Sequence, residues 1–399
     1  MPVVLRLANL LITSYLCTLY QKFVRLLPPK MYIQHYNIVT PLGFDLPTTA
    51  RLLLRERSAI ARYPMYGQLT DVCLSKIGDG AIENRFQQVV ERNDFSRLEK
   101  LLLLAIAPIF HKIKITPRTA LILSSTKGNI SELANGDSAP LLSTLAQKMA
   151  NAIGVTTTPI VVSNACVSGA MALSVADRLL KADACDNAIV LAGDEISEFV
   201  LSGFQSFQAM SAQPCRPYDA QRDGITLGEA TAVAYVTREA TGAKAQLLGS
   251  SSINDANHIS GPSRTGEGLY LSVLNALDEA KLRPEQIDLI NAHGTGTLYN
   301  DEMESNAFMR AGLLSPPLNS YKGYFGHTLG TSGLLETVLT IEFARHKILL
   351  KSLNYETLGV SQPINVLKQT QHTEVKHLLK TASGFGGSNT ALAIKVIND

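Results

Sequence analysis

Tryptophan is absent from this 399-residue chain, which excludes nothing, but its other shortages are informative. The five cysteines (Cys17, Cys73, Cys166, Cys185 and Cys215) form no CxxC pair, and with the eight histidines they show no zinc spacing. No metal is therefore expected. An odd, scattered set of cysteines is the pattern of free thiols in a reducing compartment rather than of a disulfide framework, so a cytoplasmic protein is expected. Formal net charge is only +2, too little for a nucleic-acid footprint. Low-complexity tracts and long linkers are also missing. The cleanest apolar run, residues 7–20, is too short to span a bilayer comfortably. No small-x-small cleavage site follows it, and Pro28-Pro29-Lys30 ends it. We expect residues 1–30 to be an appended segment outside the core, with the fold starting near Met31. The competing reading is an amphipathic helix at a membrane surface.

What is there is a chain 46% hydrophobic and 18% charged, ample for a large core or two domains of ordinary size. From residue 31 onward strand-like and helix-like runs alternate, the mark of an α/β fold. The spacing predicts helices over 95–110, 142–153, 170–180, 268–280 and 333–346. Strands are expected over 32–39, 119–124, 160–163, 188–192, 231–237, 245–250, 289–292 and 390–396. A soft boundary at 237–243 separates a first half, 31–240, from a second, 241–399. The halves echo each other weakly. Strand, Asn164-Ala165-Cys166-Val167-Ser168-Gly169 and apolar helix recur as strand, Gly326-His327-Thr328-Leu329-Gly330-Thr331-Ser332-Gly333 and apolar helix.

Cys166 sits at a strand-to-helix turn among small residues. Orphan N–H groups and the positive end of the helix dipole stabilise a thiolate there. Such sites bring a thiol pKa down to about 3.5–7.5. The bland alternative is an inert buried cysteine acting as a small hydrophobe.

Three further segments carry chemistry. In Asn291-Ala292-His293-Gly294-Thr295-Gly296-Thr297, a histidine ends a strand with little bulk around it and two hydroxyls at hand, so a substrate arm can approach the backbone. In Lys322-Gly323-Tyr324-Phe325-Gly326-His327, a second histidine precedes a helix, with a lysine five residues upstream. A buried lysine needs a carboxylate, and Glu304 is the candidate partner. In Ser383-Gly384-Phe385-Gly386-Gly387-Ser388, glycines around one phenylalanine can expose backbone N–H groups to an oxyanion.

With Arg216-Pro217-Tyr218-Asp219, Arg222-Asp223-Gly224 and Asn300-Asp301, these segments appear in an order that resembles the β-ketoacyl-acyl-carrier-protein synthases, ketosynthases of the thiolase-like superfamily. The resemblance spans 31–398. It implies two related α/β halves packed as a five-layer αβαβα sandwich, and a decarboxylative Claisen condensation. Cys166 would hold the acyl chain as a thioester. His293 and His327 match the pair that binds the malonyl thioester oxygen, and the N–H groups of Cys166 and Phe385 match an oxyanion hole. Lys322 and Glu304 match the pair that orients the second histidine. Thr295 and Thr297 match contacts to phosphopantetheine, Phe385 also matches a gate, and Asp255 and His258 fall where the family has a mobile loop. No cofactor is implied beyond the phosphopantetheine carried by acyl carrier protein.

The implied partners are acyl carrier protein and a second synthase subunit, identical or a paralogue. Arg97 and Lys100 are candidate carrier-docking residues. Two histidines fit an elongating rather than an initiating enzyme. A thiolase acting on coenzyme A esters is disfavoured because no cysteine follows Cys215, and a non-catalytic partner subunit because Cys166 is kept. The chain departs from the family at Gly228-Glu229-Ala230-Thr231-Ala232 and at Thr331-Ser332, where Ala-Ala is usual. Residues 124–159 are also short, implying a reshaped acyl pocket. Fatty-acid, polyketide and aryl-polyene-type pathways all remain open.

Overall fold

The computed structural model describes residues 30–91, 94–135, 141–256 and 261–398. Apart from Lys30, the N-terminal extension lies outside the described residues, and so does His258. Among the described residues, no helix is long and apolar enough to cross a membrane.

Among the described residues, ten strands make the main sheet. The first five are β1 (Met31–Val39), β2 (Thr119–Ser124), β3 (Ile160–Val162), β4 (Asn187–Asp194) and β5 (Ala230–Thr237). The next five are β6 (Ala245–Asn254), β7 (Leu289–Asn291), β8 (Leu318–Asn319), β9 (His377–Gly384) and β10 (Ser388–Val396). Their order across the sheet is β8-β7-β9-β10-β6-β1-β5-β4-β2-β3. Counted outward from the central β1–β6 contact, each half runs first, fifth, fourth, second, third. The pairing directions repeat as well. β2 lies parallel to β3 and β4, as β7 does to β8 and β9, and the remaining pairs are antiparallel. The weak echo in the sequence is therefore a repeat of a whole topology. The halves join through a short antiparallel contact, from Met31 opposite Leu247 to Ile33 opposite Ala245.

Among the described residues, six helices build the layers, α1 (Arg97–Phe110), α2 (Leu142–Ile153), α3 (Ser168–Lys181), α5 (Glu267–Ala280), α6 (Leu298–Arg310) and α7 (Ser332–Arg345), and a shorter one, α4 (Glu198–Ser206), packs outside them. Leu98, Leu102, Leu145 and Met149 of α1 and α2 cover one face of the first half-sheet, against Leu121, Leu123 and Ile189. On the second half-sheet, Leu269 and Val273 of α5 and Met303 and Phe308 of α6 pack on Ile290 and Leu379. Between the half-sheets lie α3 and α7, whose Leu173, Leu334 and Val338 share a core with Ile122, Val190, Leu378 and Leu392. The result is the five-layer αβαβα sandwich. Because both faces of each half-sheet are covered, strands such as Thr119–Ser124 and Asn187–Asp194 are buried throughout, and their sequences read as continuous apolar runs.

The middle layer is held close by missing side chains. At the crossing of α3 and α7, a Cβ on Gly169 would fall 2.6 Å from the Leu334 nitrogen, and one on Gly333 would fall 2.4 Å from the Ala170 nitrogen. Only glycine permits this approach. It sets the N-termini of both helices, and the turns that precede them, side by side.

Gly333→Ala tests the crossing. Alanine gains about 1 kcal/mol of helix propensity, but overpacking a filled core costs about 1–3 kcal/mol, and here the clash is with backbone. We expect a lower urea midpoint; an unchanged or raised midpoint contradicts the close approach.

Candidate active site

Cys166 and His327 are the residues that the glycine crossing brings together. Ala165, just before the cysteine, has φ +43°, a left-handed conformation that a Cβ resists, and it turns Cys166 out of strand geometry at the mouth of α3. His293 follows β7 and is buried. One donor atom from each of Cys166, His293 and His327 lies within 4.8 Å of the others.

Burial governs the protonation of all three. It pushes the Cys166 thiol up to about 11, against the opposing pull of the Lys322 charge and the Phe385 N–H. The sequence expectation of a low-pKa thiolate is thus reversed in the closed site. A rise from 9 to about 11 is worth nearly 3 kcal/mol, more than the 0.3–1 kcal/mol, rising to about 2, that a helix terminus supplies. Burial, followed by the Lys322 charge, also holds both imidazoles well below the usual histidine range, so they are neutral at pH 7.

Their neighbours fix the tautomers. His327 Nδ1 accepts the Leu329 N–H at 2.9 Å and lies 3.2 Å from the Ser332 hydroxyl. The proton of neutral His327 is therefore on Nε2, which is buried and has no partner among the described residues. Lys322 Nζ stands 3.4 Å from His293 Nδ1, and an ammonium can only donate. His293 likewise carries its proton on Nε2. The rings meet edge to face with centroids 5.1 Å apart. Two N–H donors beside two buried lysines suit a developing anion better than a metal cation. The departure at Thr331-Ser332 thus adds a hydroxyl to the support of His327 rather than loosening the site.

The expected Lys322–Glu304 pair does not form. Lys322 Nζ instead pairs with Glu336 Oε1 at 2.8 Å and donates to the His293 carbonyl. The other oxygen of Glu336 takes Lys380 Nζ at 2.6 Å. Glu304 comes from α6 and clamps the histidine turn by its backbone, accepting the N–H groups of His293 (2.8 Å) and Gly294 (2.6 Å) and the Tyr218 hydroxyl (2.8 Å). Asp301, one turn earlier on α6, accepts the N–H of Thr295 and of Tyr218. The Arg-Pro-Tyr-Asp segment and α6 therefore hold one loop between them. Glu336 was legible only as one of two acids, with Glu342, in a largely apolar helix, and nothing in its spacing ties it to Lys322.

The three reactive side chains floor a cavity of about 360 Å³, and Thr295, Thr297, Asp255 and Phe385 also line it. The Thr295 and Thr297 hydroxyls are 2.9 Å apart. Asp255 accepts the Gly268 N–H at 2.8 Å and the Asn389 amide at 3.0 Å, which anchors the glycine-rich loop to the start of α5. Gly384 lies against the Cys166 backbone, where a Cβ would come 3.0 Å from its nitrogen. Phe385 stacks on Phe204 and meets Phe207 edge-on, with both centroids 5.5 Å away. Neither Phe204 nor Phe207 carries a signal in the sequence, because neither α4 nor the residue that caps it belongs to a marked motif. Arg97 and Lys100 are not free for docking: Arg97 binds Glu229 and Asp79, each at 2.6 Å, and Lys100 binds Glu83 at 2.6 Å.

Residues 36–242 match the model of the β-ketoacyl synthase N-terminal domain and residues 244–356 that of its C-terminal domain. The chain belongs to the β-ketoacyl synthase family. It is a ketosynthase and, by class, an acyltransferase. It is 26% identical to a putative mitochondrial 3-oxoacyl-[acyl-carrier-protein] synthase of Schizosaccharomyces pombe, covering 92% of this chain and 99% of that one. It is 34% identical to 3-oxoacyl-[acyl-carrier-protein] synthase 2 of Rhizobium meliloti, over 59% of this chain and 60% of the relative. The match to a putative polyketide β-ketoacyl synthase 1 of Streptomyces halstedii, 31% identical, also spans less than two thirds of the relative, 64%. Among solved structures, the ketosynthase ApeO of Xenorhabdus doucetiae, in complex with its chain length factor ApeC, superposes with a TM-score of 0.80 at 26% identity. That match covers 92% of this chain and 98% of that one.

A double-mutant cycle on folding stability distinguishes the lysine's two possible partners in this ketosynthase. Lys322→Met with Glu336→Gln should show coupling of about 1–3 kcal/mol, and Lys322→Met with Glu304→Gln a much smaller value. The reverse ranking contradicts the pairing.

Proposed function

We propose that this ketosynthase lengthens an acyl chain held on Cys166 by a two-carbon unit taken from malonyl-acyl carrier protein. The observation that carries the reading is the convergence of one thiol and two imidazole N–H donors on a single buried cavity. First, Cys166 attacks the acyl-carrier thioester; the acyl group moves to its sulfur and its proton ends on the departing phosphopantetheine thiol. Malonyl-carrier protein then enters and its carboxylate leaves as carbon dioxide, the electron pair passing into an enolate. His293 and His327 donate from Nε2 to the enolate oxygen. The enolate carbon attacks the Cys166 thioester, whose oxyanion is received by the N–H groups of Cys166 and Phe385. Collapse releases β-ketoacyl-carrier protein and the cysteine sulfur, which takes up a proton from solvent. Neutral imidazoles suit this chemistry, since a fixed N–H stabilises charge that appears only in the transition state.

Thr295 and Thr297 would contact the phosphopantetheine arm, Phe385 would gate the thiol, and no cofactor belonging to the enzyme is required. A cytoplasmic location is favoured by four unpaired, buried cysteines among the described residues. A paired subunit is part of the proposal, because the two ends of the sheet differ. At the β8 edge, Leu318 exchanges backbone hydrogen bonds with Asn365 and Leu367. β3, at the other edge, is β-branched and uncharged, and among the described residues it has no strand on its outer side, the condition that invites pairing with another chain. The ApeO–ApeC complex favours a paralogous partner over an identical one. The relatives named 3-oxoacyl-[acyl-carrier-protein] synthases and polyketide β-ketoacyl synthases support fatty-acid and polyketide chains as substrates, and an aryl-polyene-type chain rests on the sequence resemblance alone.

Radiolabelled malonyl-carrier protein and acyl-primed enzyme test the reaction. Wild type should form β-ketoacyl product and Cys166→Ala none, while His327→Ala should be slower by about 100- to 1,000-fold. Equal yields from wild type and Cys166→Ala contradict the proposal. Product formed only from coenzyme A esters points to the thiolase reading.

A further inference from the structure

Lys380 is a charge that the reaction above does not use. It lies in the middle of β9, between Leu379 and Thr381, and is fully buried. Its ammonium is held by oxygens alone: Glu336 Oε2 at 2.6 Å, the Thr381 carbonyl at 2.7 Å and the Asn291 carbonyl at 3.4 Å. Glu336 is thus gripped from both sides, by Lys380 through one oxygen and by Lys322 through the other. Lys322 in turn faces His293 Nδ1, and Asn291 lies two residues before that histidine on the strand that leads to it. Burying a lysine with half a carboxylate is expensive, and behind the imidazoles two lysines share one glutamate.

We infer that Lys380 is a positioning residue for the condensation, setting Glu336 so that Lys322 points at His293 and supplying a charge that keeps both histidines unprotonated. The inference rests on the function proposed above. A second proton on either ring would go to Nδ1, against Lys322 Nζ in His293 and against the Leu329 N–H in His327, donor facing donor. The groups around the rings are Cys166, Lys322, Lys380 and Glu336, with Glu304 bound to the backbone of His293; Asp194 and Lys127 act on the cysteine from the side of β4 and the loop after β2. Among these, the positive charges of Lys322 and Lys380 oppose an imidazolium, after burial itself.

The experiment is the pH profile of the condensation for wild type, Lys380→Met and Lys380→Gln, with urea midpoints recorded alongside. Both variants remove the charge. Lys380→Gln keeps N–H donors toward Glu336 and the Thr381 carbonyl, so it stays folded if the methionine variant does not. With the charge gone the imidazolium forms at higher pH, so the acid limb of kcat/KM should move up by about half a pH unit or more. On that limb the variant then loses about threefold relative to its own optimum. A uniform loss at every pH, with the limb unmoved, overturns the inference and leaves Lys380 a structural residue. Wild-type activity identical in rate and profile to both variants overturns it too. Absence of product from wild type would instead count against the proposed reaction.

Discussion

The contact on which the site depends is the crossing of α3 and α7 through Gly169 and Gly333. With no Cβ at either position, two helices from opposite halves of the chain touch backbone to backbone, and the turns that precede them come face to face. Cys166 and His327 are neighbours for that reason, although they are far apart in sequence. The same closeness buries all three side chains. Burial is then the largest influence raising the pKa of the thiol and lowering those of the imidazoles, and the buried lysines reinforce the second effect.

A buried site must balance its own charges, and the fold does so in two separate clamps. Glu336 on α7 takes Lys322 and Lys380, while Glu304 and Asp301 on α6 take the backbone of the His293 turn, with Arg222 near Asp301 at 3.9 Å. One clamp is built from side-chain charges and sets a tautomer. The other is built from backbone N–H groups and sets a loop. Exchanging their carboxylates in the mind, as the sequence invites, would leave Lys322 without a counter-charge and the histidine turn without acceptors.

Much of this was legible in the sequence because it is local. Helix 142–153 and strand 119–124 stand where periodicity places them, and the turns bearing Cys166, His293 and His327 are marked by their glycines. The five-layer arrangement followed from the family resemblance, whereas spacing alone gave only alternation. Illegible were the pairings made by tertiary packing. Nothing along the chain ties Glu336 to Lys322, brings Lys380 behind both, or sets Phe204 and Phe207 over Phe385. The ionisation of Cys166 was misjudged for the same reason: a helix N-terminus is visible in sequence, but the depth at which it is buried is not.

The account's central claim is that packing and buried charge hold both histidines neutral with the proton on Nε2, ready for an anion. Side-chain nitrogen NMR of His293 and His327 in the intact enzyme tests it most directly. Between pH 6 and 8 (about the range in which an ordinary histidine titrates) both rings should show protonated Nε2 and bare Nδ1, unchanged by titration. A proton on Nδ1, or an imidazolium at neutral pH, would contradict it.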